Sequence, residues 1–402
     1  MDCDPHLCGK AIIGCVPISL HARGLLNSRP PEFVAPRPAF ERQERQFARV
    51  FTIIRQAIAE RAFPGAALAI TYRGELVAAQ GFGRFTYDEK SPAVQAETVF
   101  DLASVTKVVA TTAVAMLLYD RGELLLDGPA AHTMPEFVTL APKHQQANRE
   151  AVTIRMLLAH SSGLPAYEKL FEFAATREDL INAALTTRLT AAPGARARYS
   201  DIGFILLGGL LAKKAGLALD SFAAQEIFTP LGMTRACFNP GPDLKAEIPP
   251  TEDDQKFRKR VIQGEVNDEN AYVMAGVAGH AGLFAPASDV ARFAECMLRG
   301  GSPLFSKSTV KLFTHCEPSP PGTTRALGWD TPSQPHSSSG RLFSLQSFGH
   351  LGFTGTSLWI DPGRKLSVTL LTNRAWPDRA SQLIRQVRPQ VHDAIVEALE
   401  GS

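Results

Sequence analysis

The chain has no charge of one sign to spare, with 42 Lys and Arg against 40 Asp and Glu and a formal net charge of +2. With no basic or acidic block, nothing points to nucleic acid or an anionic membrane surface as a partner. Long hydrophobic runs are missing too. The longest apolar stretches, such as residues 108–118, fall well short of the ~20 residues that span a bilayer as a helix. Cysteine is sparse: Cys3, Cys8, Cys15, Cys237, Cys296 and Cys316 share no repeated short spacing, which excludes a disulfide framework and a zinc knuckle. A metal at Cys3, His6, Cys8 and Cys15 would need a tail that holds the ligands still, and that tail has no periodicity. No metal or organic cofactor is implied.

What remains is an ordinary globular composition, 45% hydrophobic and 20% charged over 402 residues, enough for a large core. Residues 1–38 are rich in Pro, Arg and small side chains and read as an unstructured leader. Within it, KAIIGC at 10–15 resembles a lipoprotein cleavage site but lacks the apolar h-region of ~7–15 residues. The location that follows is cytoplasmic, or periplasmic or lipid-anchored if the leader is a degenerate signal.

Phe47, Val50, Ile54 and Ile58 recur at helical spacing, and GAALAITYRGELVAAQGFG predicts two strands turned at Arg73-Gly74. Helical patterns follow near 153–160, 177–186, 201–215 and 219–229. Strands return only near the end, as a hairpin of 354–360 with 366–371 about Asp361-Pro362-Gly363-Arg364, and a last helix at 378–398 should be interrupted at Pro389. The run Phe257-Arg258-Lys259-Arg260 reads as a solvated loop. The expected class is α+β: an antiparallel β-sheet flanked by helices, formed by residues 39–119 and 273–402, with an inserted helical domain at 120–272.

The chemistry gathers on FDLASVTKVVATTAVAMLLY at 100–119, where Ser104 and Lys107 open a helix that is apolar all round and therefore buried. Residues three apart share a face, so the ammonium reaches the hydroxyl. Burial and the positive helix end both disfavour the charged lysine, making it a base at neutral pH. One S-x-x-K is expected by chance in a chain this long. A second occurs at Ser308 and Lys311, in a polar run, and Ser308 reads as a helix cap. Tyr199, at a loop-to-helix junction before Ser200-Asp201, is a candidate base or proton relay.

With these residues in order, the chain resembles the serine β-lactamase and penicillin-binding protein superfamily, in its class C-like esterase, D-aminopeptidase and low-molecular-weight penicillin-binding branch. Ser104-Val105-Thr106-Lys107 is similar to the first motif, Tyr199-Ser200-Asp201 to the second and His350-Leu351-Gly352 to the third. LLAHSSGLP at 157–165, FTPLGMT at 228–234 and AGHAGLFAPASDVARF at 278–293 add to the likeness. The resemblance implies a sheet flanked by helices, a site between sheet and helical domain, Ser104 as acylated nucleophile and Lys107 with Tyr199 as base system. It implies an oxyanion hole from the backbone N–H groups of Ser104 and Phe353. His350 and Leu351 stand where the family has lysine and threonine, so a carboxylate-binding cation and hydroxyl are missing, though a partly charged His350 would still donate. Asp201 replaces an asparagine and, if close, holds Lys107 charged. Asn267-Asp268-Glu269-Asn270 reads as a cleft-lining loop, His280 and His160 as structural histidines, and Trp329 and Trp359 as core.

The function implied is a serine hydrolase working through an acyl-enzyme on small carboxylic esters, D-amino-acid amides or peptides. A cell-wall DD-peptidase or weak β-lactamase, and a non-catalytic binding or sensor module, are the alternatives; retention of Ser104, Lys107 and Tyr199 argues against the last.

Overall fold

The structure, a computed structural model, describes residues 32–333 and 335–401. The N-terminal cysteines and most of the expected leader lie outside them. The described chain packs as one compact unit from Glu32 onward. Three strands come early: β1 (Arg37–Pro38), β2 (Gly65–Tyr72) and β3 (Glu75–Gly83). β4 (Phe100–Asp101) and β5 (Cys237–Phe238) follow, then β6 (Glu252–Asp254), β7 (Arg260–Ile262) and β8 (Leu283–Ala285). β9 (Phe348–Leu351), β10 (Ser357–Asp361) and β11 (Leu366–Thr372) close the series. The main sheet runs β1-β3-β2-β11-β10-β9, antiparallel except where β1 joins β3. Chain ends thus meet in one sheet, as the two hairpin patterns require. Arg37–Pro38 belongs to that sheet although it falls in the segment expected as leader.

The β2–β3 turn uses positive φ at both Arg73 (53°) and Gly74 (86°), the geometry that matches the twist of a two-residue hairpin. Side chains alternate across the sheet. Ala66, Leu68 and Ile70 of β2, with Leu366, Val368 and Leu370 of β11, face helices Ala48–Ala59 and Ile384–Glu400. Ala67, Ala69, Leu358, Ile360 and Leu371 face a second core shared with helix Ala287–Leu298 and the Ser104 helix. Covering both faces explains why β11 is buried along its whole length.

Helices Ile154–Leu158, Arg177–Thr186, Asp201–Ala215 and Leu219–Ala223 follow the expected positions. Four expectations are corrected. The final helix, Ile384–Glu400, runs through Pro389 without a break, because Val387, Val391, Ile395 and Val396 bury one face against the sheet. Ser306 rather than Ser308 caps helix Lys307–Thr314, accepting from Thr309 N at 3.1 Å, and Ser308 is exposed in its first turn. The basic run is a solvated loop only in part: it turns β6 into β7 with Lys259 and Arg260 exposed, but the Arg258 side chain is buried and donates to the carbonyls of Val266 and Asn267, its guanidinium 4.6 Å from the Tyr272 ring. Lastly, helix Ala103–Asp120 is long and apolar enough by length and composition to cross a membrane, since it extends beyond the apolar run at both ends. It is 83% buried inside the protein, so it is a core helix.

One contact ties this core to the site. Helix Asp201–Ala215 approaches the glycine-rich segment before β8 so closely that a Cβ on Gly208 would lie 2.7 Å from Gly279 Cα. Intrinsic propensity favours alanine over glycine in a helix by ~0.8–1 kcal/mol. Overpacking against backbone costs about 1–3 kcal/mol and should win. Gly208→Ala is therefore expected to lower stability in urea denaturation; an unchanged or higher midpoint would show that the segment yields.

Candidate active site

Ser104 sits where β4 turns into the buried helix. Ala103, just before it, holds φ at +46°, a left-handed conformation that costs a non-glycine residue ~1–3 kcal/mol and persists only where its surroundings impose it. They do so by hydrogen bonds. Ala103 N donates to Asp101 Oδ1 at 2.8 Å, and Leu102 N donates to Leu283 O at 2.9 Å. Asp101 Oδ2 also accepts from Asn267 N at 2.7 Å. Burial pushes the Asp101 carboxyl up to about 6, with these backbone N–H groups pulling it back. The helix opens as a 3₁₀ turn, widens to a π-helical stretch at Lys107–Thr112 and continues as α-helix Ala113–Asp120.

Lys107 is completely buried. Its Nζ lies 3.0 Å from Ser104 Oγ, 2.9 Å from His280 O and 2.7 Å from Asp201 Oδ1. Burial lowers its pKa below the usual lysine value and outweighs the opposing pull of the Asp201 carboxylate. Asp201 is as close as the sequence expectation required and does favour the charged lysine, but desolvation opposes it and is the larger effect.

Tyr199 donates its O–H to Ser104 Oγ at 2.8 Å. Burial, with the Asp201 carboxylate adding to it, raises its pKa well above the usual phenol value, so the side chain is a neutral donor and not a phenolate. Its position is set by the LLAHSSGLP stretch. Ser200 caps helix Asp201–Ala215, accepting from Gly203 N at 3.0 Å while donating to Pro165 O at 2.6 Å. Ser200 N donates to His160 Nδ1 at 3.0 Å, and the His160 ring packs 4.8 Å from Tyr199. His160 ends helix Ile154–Leu158 at φ +57°, as expected, and in addition orients the tyrosine segment.

The third segment reaches the first through two threonines. Thr354 Oγ1 donates to Asp101 O at 2.9 Å and Thr356 Oγ1 to Leu102 O at 3.0 Å. Gly352 is obligatory between them, since a Cβ there would meet Thr356 Oγ1 at 1.9 Å and Leu102 O at 2.7 Å. The backbone N–H groups of Ser104 and Phe353 have no hydrogen-bond partner among the described residues. The Phe353 ring is 43% exposed, with the guanidiniums of Arg374 and Arg379 at 4.4 and 5.3 Å.

His350 is buried, and its Nδ1 lies 2.8 Å from Leu351 O, which places the proton there and leaves Nε2 as a bare acceptor without a partner. Burial, reinforced by the Lys107 and Arg325 cations, keeps its pKa well below the usual histidine value. The expected partly charged, donating histidine is thus absent, and Leu351 beside it adds only apolar surface. Arg325 escaped the sequence analysis. Its guanidinium lies 5.5 Å from the Tyr199 ring and pairs with Asp330. Asp268 bonds His280 Nε2 at 2.7 Å, so side chain and carbonyl of one histidine serve the loop and the lysine respectively.

Two cavities, of about 1070 and 670 Å³, meet at Ser104, Tyr199, Asp201 and Phe353. The larger also takes in His350, Leu351 and Arg325; the smaller is walled by Tyr167, Phe171 and Phe257, together with Asp268. Among the described residues no group of three or more His, Cys, Asp or Glu side chains is arranged to hold a metal.

Known proteins resemble this chain in sequence and in fold. The Beta-lactamase family model matches residues 50–391. A Bacillus subtilis (strain 168) protein named N-acetylmuramyl-L-alanine amidase is 33% identical over 353 residues, covering 78% of this chain and 77% of that protein. An Escherichia coli (strain K12) protein named "Putative D-alanyl-D-alanine carboxypeptidase" is 32% identical, covering 76% of each. Among solved structures, EstCE1, a hydrolase with promiscuous acyltransferase activity, shares the fold with a TM-score of 0.72 at 22% identity, over 88% of this chain and 99% of that one.

The electrostatics carry a prediction. The Asp201 carboxylate favours the Lys107 ammonium, so removing it should lower the lysine pKa further. Followed through the pH dependence of the Lys107 side-chain NMR signal, the midpoint in Asp201→Asn is expected below that of the wild type. A midpoint at or above the wild-type value would contradict the upward pull assigned to the Asp201 carboxylate.

Proposed function

The chain belongs to the β-lactamase family of serine hydrolases, and from that premise we propose that it hydrolyses small carboxylic esters and D-amino-acid amides or peptides through an acyl-enzyme on Ser104. The observation that carries this reading is the convergence of Lys107 Nζ and Tyr199 OH on Ser104 Oγ, at 3.0 and 2.8 Å, where two cavities meet.

The lysine's three neighbours suggest how it works. Two of them, the His280 carbonyl and the Asp201 carboxylate, can only accept. A neutral amine would donate one proton to the His280 carbonyl and turn the other toward the Asp201 carboxylate, leaving its lone pair for the third neighbour, Ser104 Oγ. Lys107 would take the serine proton as Oγ attacks the substrate carbonyl, and the oxygen that gains charge would receive the free N–H groups of Ser104 and Phe353. Tyr199, neutral and already donating to Oγ, would pass a proton to the leaving group and later help recover it from water. Atoms balance over two steps: the leaving group departs protonated, and water then releases the acid and restores the Ser104 hydroxyl.

Substrate choice follows from the third motif. A β-lactam carries a carboxylate beside the scissile bond, and neither neutral, Nδ1-protonated His350 nor Leu351 offers it a donor. One charge-assisted hydrogen bond is worth ~1.5–3 kcal/mol, or about one to two decades in kcat/KM. A simple ester loses nothing.

The test is a profile of the pure protein against nitrophenyl esters of increasing chain length, D-alanyl amides and a chromogenic cephalosporin. Ester kcat/KM is expected to exceed that for the cephalosporin, Leu351→Thr to narrow the gap, and acidification to give the cephalosporin no advantage. An enzyme that prefers the cephalosporin would show that carboxylate recognition does not run through these positions. Lys107→Ala and Tyr199→Phe should each lower kcat by roughly two to four orders of magnitude with smaller changes in KM. Near-wild-type kcat in either variant would remove that residue from the proton path.

A further inference from the structure

Helix Ile384–Glu400 begins with no acidic residue in its first turn and no side-chain cap. Arg385 and Arg388 instead occupy its first five positions, at the positive end of the helix dipole, where cations are disfavoured. Arg374, just past β11, completes a cluster: the charges of Arg374 and Arg385 both act on Arg388, and that of Arg385 acts on Arg374. Burial first, and these neighbours second, bring the Arg388 pKa down to about 9.

None of the three forms an ion pair among the described residues; the Glu252 carboxylate acts on Arg374 from a distance but is itself paired with Arg379. Arg374 donates to the carbonyls of Phe353, Arg379 and Ser381, and Arg388 Nη2 to those of Gly352 and Thr356, both at 2.9 Å. The exposed Arg385 side chain has no partner among the described residues. Arg388 is 5% exposed, yet its Nε has no hydrogen-bond partner, an unusual state for a buried guanidinium donor. Nearby cations are treated differently: Arg379 is paired with Glu252 and Glu269, and Arg341 with Asp393. All three arginines line the larger cavity, whose wall includes Ser104.

We propose that Arg374, Arg385 and Arg388, with the start of helix Ile384–Glu400, form a subsite for an anionic group, a carboxylate or phosphate, carried by the substrate on an arm extending from the scissile carbonyl. This rests on the reading of Ser104 as the nucleophile. The third-motif positions leave an anion fixed beside the scissile bond without donors, whereas one on a longer arm meets unspent guanidinium N–H groups in the same cavity. The substrate class is accordingly an ester or amide with a remote negative charge, and the larger cavity gives the arm its room.

The experiment compares kcat/KM for the 4-nitrophenyl hemiesters of succinate, glutarate and adipate with their methyl-capped counterparts, in wild type, Arg385→Gln and Arg385→Glu. At one arm length the free acid should be preferred about tenfold or more, the value of a charge-assisted contact. The ratio should fall toward one in Arg385→Gln and invert in Arg385→Glu, and high salt should erode it. Wild-type turnover of the capped esters with no preference at any length sinks the subsite and leaves the hydrolase intact; failure on every ester sinks the hydrolase reading. The subsite is then still tested by calorimetry with glutarate and with inorganic phosphate. Binding of either, lost in Arg385→Glu, supports it and identifies the anion, and binding of neither overturns it.

Discussion

The site depends on keeping a lysine side chain in a place with no water. Lys107 has zero exposure, and three acceptors within 3.0 Å replace its hydration shell. Desolvation favours the neutral amine, while the carboxylate of Asp201 keeps the group from losing its proton too readily. Each acceptor comes from a different part of the chain: the Ser104 helix itself, the glycine-rich segment before β8, and the start of helix Asp201–Ala215. The closeness of Gly208 to Gly279 is what lets the last two meet, so packing far from the nucleophile bears directly on the lysine's charge.

A second constraint fixes the two free backbone N–H groups relative to one another. Thr354 and Thr356 hydrogen-bond to the carbonyls of Asp101 and Leu102, across more than 250 residues of sequence. Arg374 and Arg388 hold the same turn from the other side by donating to the carbonyls of Phe353 and Gly352. The turn is thus braced by neutral acceptors rather than by carboxylates, and that choice leaves positive charge in the cavity wall. Bracing and ligand recognition are two uses of the same guanidiniums.

Local spacing carried much of this. Ser104 and Lys107 on one helical face, the hairpin about Arg73-Gly74, the glycine of the third motif and the paired terminal strands all follow from neighbours within a few residues, where backbone geometry decides. Other features depend on contacts made only after folding. The charge on His350 is set first by its burial and then by Lys107 and Arg325, and the protonation of Tyr199 by its burial. Arg258 reads as surface because its run is polar, yet its guanidinium serves two buried carbonyls. Pro389 reads as a break, but the helix through it is held by the core on which it lies. Asp101, Thr354 and Thr356 have no pattern that marks them, since their partners are backbone atoms.

The account stands on Ser104 being the atom that takes the acyl group. Intact mass followed by peptide mapping, after brief exposure to a fluorophosphonate or to a slowly hydrolysed β-lactam, tests this directly. A single adduct confined to the peptide bearing Ser104, and absent in Ser104→Ala, is the predicted result. An adduct on Ser308, or labelling that survives Ser104→Ala, would contradict it.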